Sequence, residues 1–194
     1  MLAMHRSLFL VALLLCMGLA GCTSNDASTG SNNSMTEEEK QLPEWNVGQN
    51  WLYTFITPQF GEDSARLVVA EIDNCSGEYV LGISSEREAQ RHAVINHNPF
   101  LGRMTIDTLS VYENGEQQQV FSFPWTVGDT WSFTLLGQEW DATTESLNNG
   151  NARVEAESSE GHELSYTFSG SKGFLERLVW RDGEGSIQLR MDLN

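Results

Sequence analysis

The chain has little cysteine and few basic residues. Its three cysteines are Cys16, Cys22 and Cys75, and only Cys75 lies in the region that we expect to fold. A framework of disulfides therefore cannot hold that region together. Lysine and arginine together number 11 against 27 aspartates and glutamates, which gives a net charge of −16 at pH 7. Because such a surface repels polyanions, we expect no nucleic-acid partner.

Long hydrophobic runs are also missing. The apolar stretch at residues 8–20 is shorter than the roughly 20 residues that a helix needs to cross a bilayer. It follows Arg6 and ends in Leu19-Ala20-Gly21-Cys22, which is typical of a cleaved secretion signal with a lipobox. The segment resembles the signal of prokaryotic lipoproteins. That resemblance implies cleavage between Gly21 and Cys22 and a diacylglycerol on the Cys22 sulfur. An ordinary secretory signal with an incidental cysteine is the alternative.

Three segments follow from this interpretation. Residues 1–21 are the signal peptide, and residues 22–42 form a lipidated tether rich in Ser, Asn, Thr and Gly, with almost nothing to bury. Residues 43–194 are long enough for one domain with a single hydrophobic core. Two acyl chains give stable attachment to a bilayer, so we expect an extracytoplasmic protein held to a cell membrane by the lipid on Cys22.

An internal repeat is the most informative feature of the region 43–194. The pattern Trp-x-Val-Gly-x-x-Trp-x-aromatic occurs twice, 80 residues apart, and uses four of the six tryptophans. A weaker similarity between residues 100–116 and 174–184 follows in the same order. We therefore expect two repeated units, at about 43–123 and 124–194. The motif residues are Trp45, Val47, Gly48, Trp51 and Tyr53 in the first copy and Trp125, Val127, Gly128, Trp131 and Phe133 in the second.

Apolar and polar residues alternate along most of the region, as they do in strands with one buried face. The alternation predicts strands that begin at each motif and at residues 66–73, 78–83, 104–112, 118–123, 138–144, 152–157, 163–169, 175–181 and 187–193. Asn114-Gly115, Asn149-Gly150 and Asp182-Gly183 are dipeptides typical of tight hairpin turns. The prediction is an all-β, mainly antiparallel fold. Two repeated meanders would form a sandwich or a half-open barrel, with one short helix near residues 86–94.

The Val-Gly-x-x-Trp-x-aromatic element resembles one found in secreted and lipid-anchored β proteins of bacteria and archaea, some of them related to the LolA-like lipoprotein carriers. The likeness covers only the two short motifs. It implies a half-open barrel that holds an apolar ligand, and it assigns no site residue in this chain.

The chain contains no sequence motif for common catalytic chemistry. It lacks a Gly-x-Ser-x-Gly elbow, phosphate-binding glycine loops and a His-Glu-x-x-His pair. His92 and His97 are five residues apart, a spacing that suits neither helical nor strand metal sites. Asp73–Glu78 has oxygen donors around a glycine, and a hairpin turn is favoured there over a calcium loop. We expect no metal, no cofactor and no enzymatic activity, with a secreted hydrolase as an alternative.

The tryptophans could either pack in the core or bind a ligand. The four motif tryptophans stand beside a turn and a strand, so we expect them in the core. Trp140 and Trp180 have no counterpart in the other repeat, which makes them the candidate ligand-binding residues. We expect a non-enzymatic binding or structural module with an unknown protein or apolar small-molecule partner. A carrier for lipid or another apolar molecule is the alternative.

Overall fold

The structure is a computed structural model that describes residues 42–84 and 98–194. Twelve strands make up the described part, and it contains no helix. The strands are β1 Asn50–Thr57, β2 Gly61–Asp73, β3 Glu78–Ile83, β4 Gly102–Thr105, β5 Val111–Glu113, β6 Glu116–Gln118, β7 Thr130–Leu135, β8 Gln138–Asn148, β9 Asn151–Ser158, β10 Glu163–Ser169, β11 Phe174–Arg181 and β12 Ile187–Leu193.

The strands form a single antiparallel sheet in the order β6-β5-β4-β3-β2-β1-β12-β11-β10-β9-β8-β7. Each half of the chain is a six-strand meander, and the two meanders join where β1 pairs with β12. The sheet curls into a nearly closed barrel. This confirms the predicted all-β, antiparallel class and, of the two arrangements expected, favours the barrel over the sandwich.

The outermost strands, β6 and β7, meet through side chains. The backbone N–H of Thr134 donates to Gln118 Oε1 at 2.7 Å, and that of Gly137 donates to Glu113 Oε1 at 2.9 Å. No ladder of backbone hydrogen bonds joins these two strands among the described residues. We call this junction the seam of the barrel.

Two predicted strands differ from the structure in more than the position of their ends. The predicted strand at residues 104–112 is two strands, Gly102–Thr105 and Val111–Glu113, separated by a turn. The predicted strand at 118–123 is wrong, because β6 ends at Gln118. The residues after it leave the sheet and turn into the core, where their apolar side chains imitate the pattern of a buried strand.

Segments outside the strands fill the barrel. Phe100, Leu109 and Phe121 belong to no strand, yet each is at most 1% exposed. Twelve strands enclose more space than their own inward side chains can fill, since about eight strands give an interior that side chains just fill. The connecting segments supply the missing volume. The largest fully buried side chains are Trp140, Tyr53, Tyr166, Phe100, Phe121, Phe168, Phe174, Leu67, Met104, Leu109, Leu135 and Leu164.

The two copies of the tryptophan motif have the same local structure. Gly48 donates its N–H to the carbonyl of Val69 at 2.8 Å, and Gly128 donates to that of Thr144 at 2.9 Å. The two glycines have φ values of +88° and +87°, a conformation that side chains disfavour. In both accepting strands the register shifts directly after the accepting residue. Each motif is thus a turn that ends on a bulged strand.

The predicted hairpin turns are confirmed at two of three places. Asn114-Gly115 and Asn149-Gly150 both have positive φ at each residue, as a two-residue turn requires. The prediction for Asp182-Gly183 is wrong, because the positive φ in that turn, +82°, belongs to Gly185. Asp182 instead accepts backbone hydrogen bonds from Glu184 and Ser186, which supports a longer turn.

Several predictions concern residues that the structure does not describe. The signal peptide, the lipid site at Gly21 and Cys22, the helix near 86–94 and the histidines His92 and His97 all lie outside the described residues. Of the predicted tether 22–42, only Leu42 is described, and its side chain packs against the core.

Candidate functional site

The tryptophans of the first motif are part of the core. Trp45 and Trp51 are 3% and 5% exposed, and Tyr53 beside them is fully buried. Trp45 Nε1 donates to the carbonyl of Gly173 at 2.8 Å, and Trp51 Nε1 donates to that of Lys172 at 2.9 Å. Both indoles thereby fasten β1 and the turn before it to the loop between β10 and β11. This placement favours core packing over contact with a ligand.

The second motif is buried in a similar way. Trp125 and Phe133 are 6% and 4% exposed, and Trp131 is partly buried. The indole nitrogen of Trp131 is itself buried and has no hydrogen-bond partner among the described residues. By contrast, Val47 and Val127 stand at the tips of the two turns, 63% and 56% exposed.

The two candidate ligand-binding tryptophans occupy different surroundings. Trp140 is fully buried, and its Nε1 donates to the carbonyl of Leu135 at 2.8 Å. A ligand could touch it only after displacing the core. Trp180 is partly buried, and its ring stacks on His162 with centroids 6.2 Å apart. Its Nε1 lies 3.3 Å from His162 Nδ1. The structure does not bring the two tryptophans together in one contact.

The segment Asp73–Glu78 forms the turn between β2 and β3. Asp73 Oδ1 accepts the backbone N–H groups of Cys75 and Ser76 at 3.0 and 3.3 Å. The hydrogen bonds from Ser76 and Cys75 lower the pKa of Asp73. Its oxygens thus stabilise the turn, which supports the hairpin interpretation. Cys75 is disulfide-bonded, and the described residues contain no second cysteine, so this bond joins no two strands of the barrel.

Glu78 is the centre of a polar cluster on the outside of β3, β4 and β5. It is only 6% exposed. Its carboxylate accepts hydrogen bonds from Tyr112 Oη at 2.6 Å, from Arg103 Nη1 at 2.6 Å and from Ser76 Oγ at 2.9 Å. These hydrogen bonds, that of Tyr112 first, lower the pKa of Glu78, and the same bond raises the pKa of Tyr112. Three donors already bind this carboxylate, so the cluster links the short strands β4 and β5 to β3.

The Glu78 cluster should make folding stability depend on acid pH. A carboxyl group whose pKa is lower in the folded state stabilises the protein fully above its unfolded pKa of about 4.3. That contribution is lost as the pH falls through the folded pKa. We expect Glu78→Gln to flatten the decline of the unfolding free energy below about pH 4.3, measured by urea unfolding at several pH values. Glu139→Gln, at an exposed position, is the matched control. An equal decline in Glu78→Gln and wild type would contradict this role.

A concave groove lies on the outer face of β9, β10 and β11. It encloses about 310 Å³. Three guanidinium groups border it, two hydroxyl groups lie between them, and an aliphatic side chain forms part of its floor. We call it the arginine groove, and its side chains are Arg153, Ser165, Thr167, Arg177, Val179 and Arg181.

The strand register positions these side chains. Thr167 of β10 pairs with Arg153 of β9 on one side and with Arg177 of β11 on the other. In the next row, Ser165 pairs with Val179. Directly paired residues point to the same face of a sheet. Although Val179 points outward, it is only 8% exposed, because the groove shields it from water.

Carboxylates partly neutralise the arginines. Arg153 donates from Nε and Nη2 to Glu155 Oε1 at 2.9 and 2.6 Å. Arg177 Nε is 3.4 Å from Asp192 Oδ1, and Arg190 Nε is 2.5 Å from Asp192 Oδ2. Arg153 and Arg177 stay 64% and 52% exposed at the side chain. Each guanidinium therefore keeps donor groups that face solvent.

The surface next to the groove is acidic. A second depression, on the outside of β8 and β9, is lined by Glu145, Glu155, Glu157 and Glu163 together with Arg153. The arginines of the groove lie on β9 and β11, beside these carboxylates. In a chain with a net charge of −16, three of the six described arginines border this one groove.

The arginine groove was not predicted from the sequence. Arg153, Arg177 and Arg181 are separated by up to 28 residues, and only the pairing of three strands brings them to one face. Alternation along each strand does show that they point outward. It does not give the register that places two of them on either side of Thr167.

The fold and the groove define a class of protein: a filled antiparallel β-barrel with a charged concave surface on the outside of its wall. Comparisons of the chain with models of protein families, with curated proteins and with solved structures found no match. Within residues 42–84 and 98–194, no three His, Cys, Asp or Glu side chains are grouped so that they could hold a metal ion. No helix in the described part is both long and apolar enough to span a membrane.

Proposed function

We propose that the protein is a lipid-anchored, extracytoplasmic module that binds its partner on the outer wall of the barrel and performs no catalysis. The lipobox sequence supports the anchor. The filled interior is the observation that carries the rest of the proposal, because it directs binding to the outside. The arginine groove is a concave outer surface whose side chains include three guanidinium groups and two hydroxyl groups.

The interior argues against the alternative of an apolar carrier. A carrier needs an enclosed space lined with apolar groups, typically about 300 Å³ or more for a small molecule. In this barrel, Phe100 and Phe121 from the connecting segments and Phe174 from β11 meet in the middle. The ring centroids of Phe100 and Phe174 are 5.6 Å apart, and those of Phe121 and Phe174 are 6.3 Å apart. Rings at these distances are in contact.

The groove has the chemistry of a binding surface. Guanidinium groups donate hydrogen bonds and do not lose their protons in proteins, so they cannot act as general bases. Hydroxyl groups need an adjacent base to become nucleophiles. The lining side chains include no histidine and no carboxylate. A binding role therefore fits the groove better than the alternative of a secreted hydrolase.

Native mass spectrometry distinguishes a binding module from a carrier. We expect the protein, purified from its own host without denaturation, to show only the mass of the polypeptide and its covalent lipid. The filled interior leaves no room for a second lipid. A stoichiometric apolar molecule that co-purifies and is released by unfolding would overturn the proposal in favour of a carrier.

A further inference from the structure

We propose that the arginine groove binds a phosphate group. This inference deepens the proposed function, since it names the ligand chemistry of the outer wall, and it rests on that function for its biological meaning. It can nevertheless be measured independently of the lipid anchor.

The register sets two arginines at a distance suited to one anion. Arg153 and Arg177 pair with Thr167 from opposite sides, so their Cα atoms are separated by two strand spacings, roughly 10 Å. An arginine side chain can bridge half of that gap. The two guanidinium groups can therefore approach an anion from both sides, above the hydroxyl of Thr167.

The groove has hydrogen-bond donors to spare. An arginine has five N–H donors. Arg153 uses the Nε and Nη2 groups on Glu155, and Arg181 uses Nη1 on the carbonyl of Gly185 at 3.0 Å. The hydroxyls of Ser165 and Thr167 make no hydrogen bond to a described residue. An anion in the groove would meet donors from at least two directions.

The charges already present favour a phosphate over a single carboxylate. Glu155 lies against Arg153, and Asp192 lies against Arg177 and also against Arg190 outside the groove. A ligand with a single carboxylate must compete with Glu155 or Asp192 for one guanidinium at a time. A phosphate monoanion or dianion has three or more acceptor oxygens and can bridge both guanidiniums and a hydroxyl at once.

The test is isothermal titration of the full-length protein with inorganic phosphate at low ionic strength. We expect a single site whose affinity falls as sodium chloride is added. Arg177→Gln should weaken binding by about tenfold or more, because it removes one charged donor pair. Arg177→Lys keeps the charge and loses the fork of donors, so it should fall between wild type and Arg177→Gln.

Arg66→Gln is the matched control. Arg66 points outward from β2, is exposed and lies outside the groove, so its variant should bind phosphate within about twofold of wild type. Thermal unfolding of each variant checks that it is folded. No saturable binding up to tens of millimolar phosphate, or equal weakening in Arg66→Gln and Arg177→Gln, would overturn the inference.

A second titration identifies the source of the phosphate group. Glucose 6-phosphate that binds as tightly as inorganic phosphate, or more tightly, supports a site for a phosphate carried on a larger molecule. Inorganic phosphate that binds more tightly supports a site for the free ion. If the wild-type protein binds no phosphate but is attached to the membrane, only this inference is overturned, and the proposed anchor is unaffected.

Discussion

Replacing Phe174 by alanine should lower the free energy of unfolding by about 3–5 kcal/mol. Phe174 is fully buried, and its ring lies near five other aromatic rings. The centroid distances are 4.9 Å to Trp51, 5.1 Å to Trp45, 5.6 Å to Phe100, 6.3 Å to Tyr53 and 6.3 Å to Phe121. Strand residues and connecting segments both surround the ring, so no single neighbour can close the cavity left by the substitution. Urea unfolding followed by tryptophan fluorescence measures the loss.

Phe60→Ala is the control for this prediction. Phe60 stands in the turn between β1 and β2 and is 36% exposed, so truncating it should cost less than about 1 kcal/mol. If Phe174→Ala and Phe60→Ala lowered the free energy of unfolding by similar amounts, the packed centre of the barrel would not be a main source of its stability. A variant of Phe174 that fails to fold at all can be replaced by Phe174→Leu, for which we expect a smaller loss in the same direction.

Changing Cys22 to serine should move the protein from the membrane fraction into the medium. Serine has no thiol to receive the diacylglycerol, and without two acyl chains the mature protein has no stable attachment to the bilayer. Cell fractionation followed by immunoblotting measures the shift. The intact mass of the wild-type protein should equal that of a chain that begins at Cys22 plus its lipid.

Cys75→Ser is the matched control and should stay at the membrane. The mass measurement also tests a competing arrangement, in which Cys22 is the disulfide partner of Cys75. One sulfur cannot carry both a lipid thioether and a disulfide, so this bond would exclude the lipid. A wild-type mass without lipid, with Cys22 joined to Cys75, would refute the anchor. So would a Cys22→Ser protein that fractionates with the membrane as the wild type does.

The local part of the fold could be predicted because the signals that set it are local. Alternation of apolar residues placed nine of the twelve strands singly and joined β4 and β5 into one, and Asn-Gly pairs placed two turns. The mistakes about strands arose where a buried side chain belongs to a connecting segment. Val120 and Phe121 are fully buried, as strand residues would be, but they fill the barrel from a loop. Alternation cannot separate these two origins of burial, because both produce the same apolar pattern.

The candidate site depends on information that a single sequence does not contain. Which arginines share a face follows from alternation, and which of them are neighbours follows from the pairing of strands. A shift of two residues between β10 and β11 would keep every side chain on its face and still separate Arg177 from Thr167. The two tryptophans without a repeat partner show a similar limit, because the sequence alone does not show that Trp140 is fully buried and Trp180 only partly.

The side-chain bonds at the seam also affect how readily its free strand edges can pair with another molecule. A strand at the end of a sheet offers free N–H and C=O groups to the matching strand of another molecule. Here Gln118 and Glu113 occupy two of the N–H groups near the free edge of β7, at Thr134 and Gly137. Glutamate also adds a negative charge that discourages a second acidic chain from approaching. The seam, where no backbone ladder joins the described strands, is therefore less open to fibril growth and to the exchange of halves between molecules.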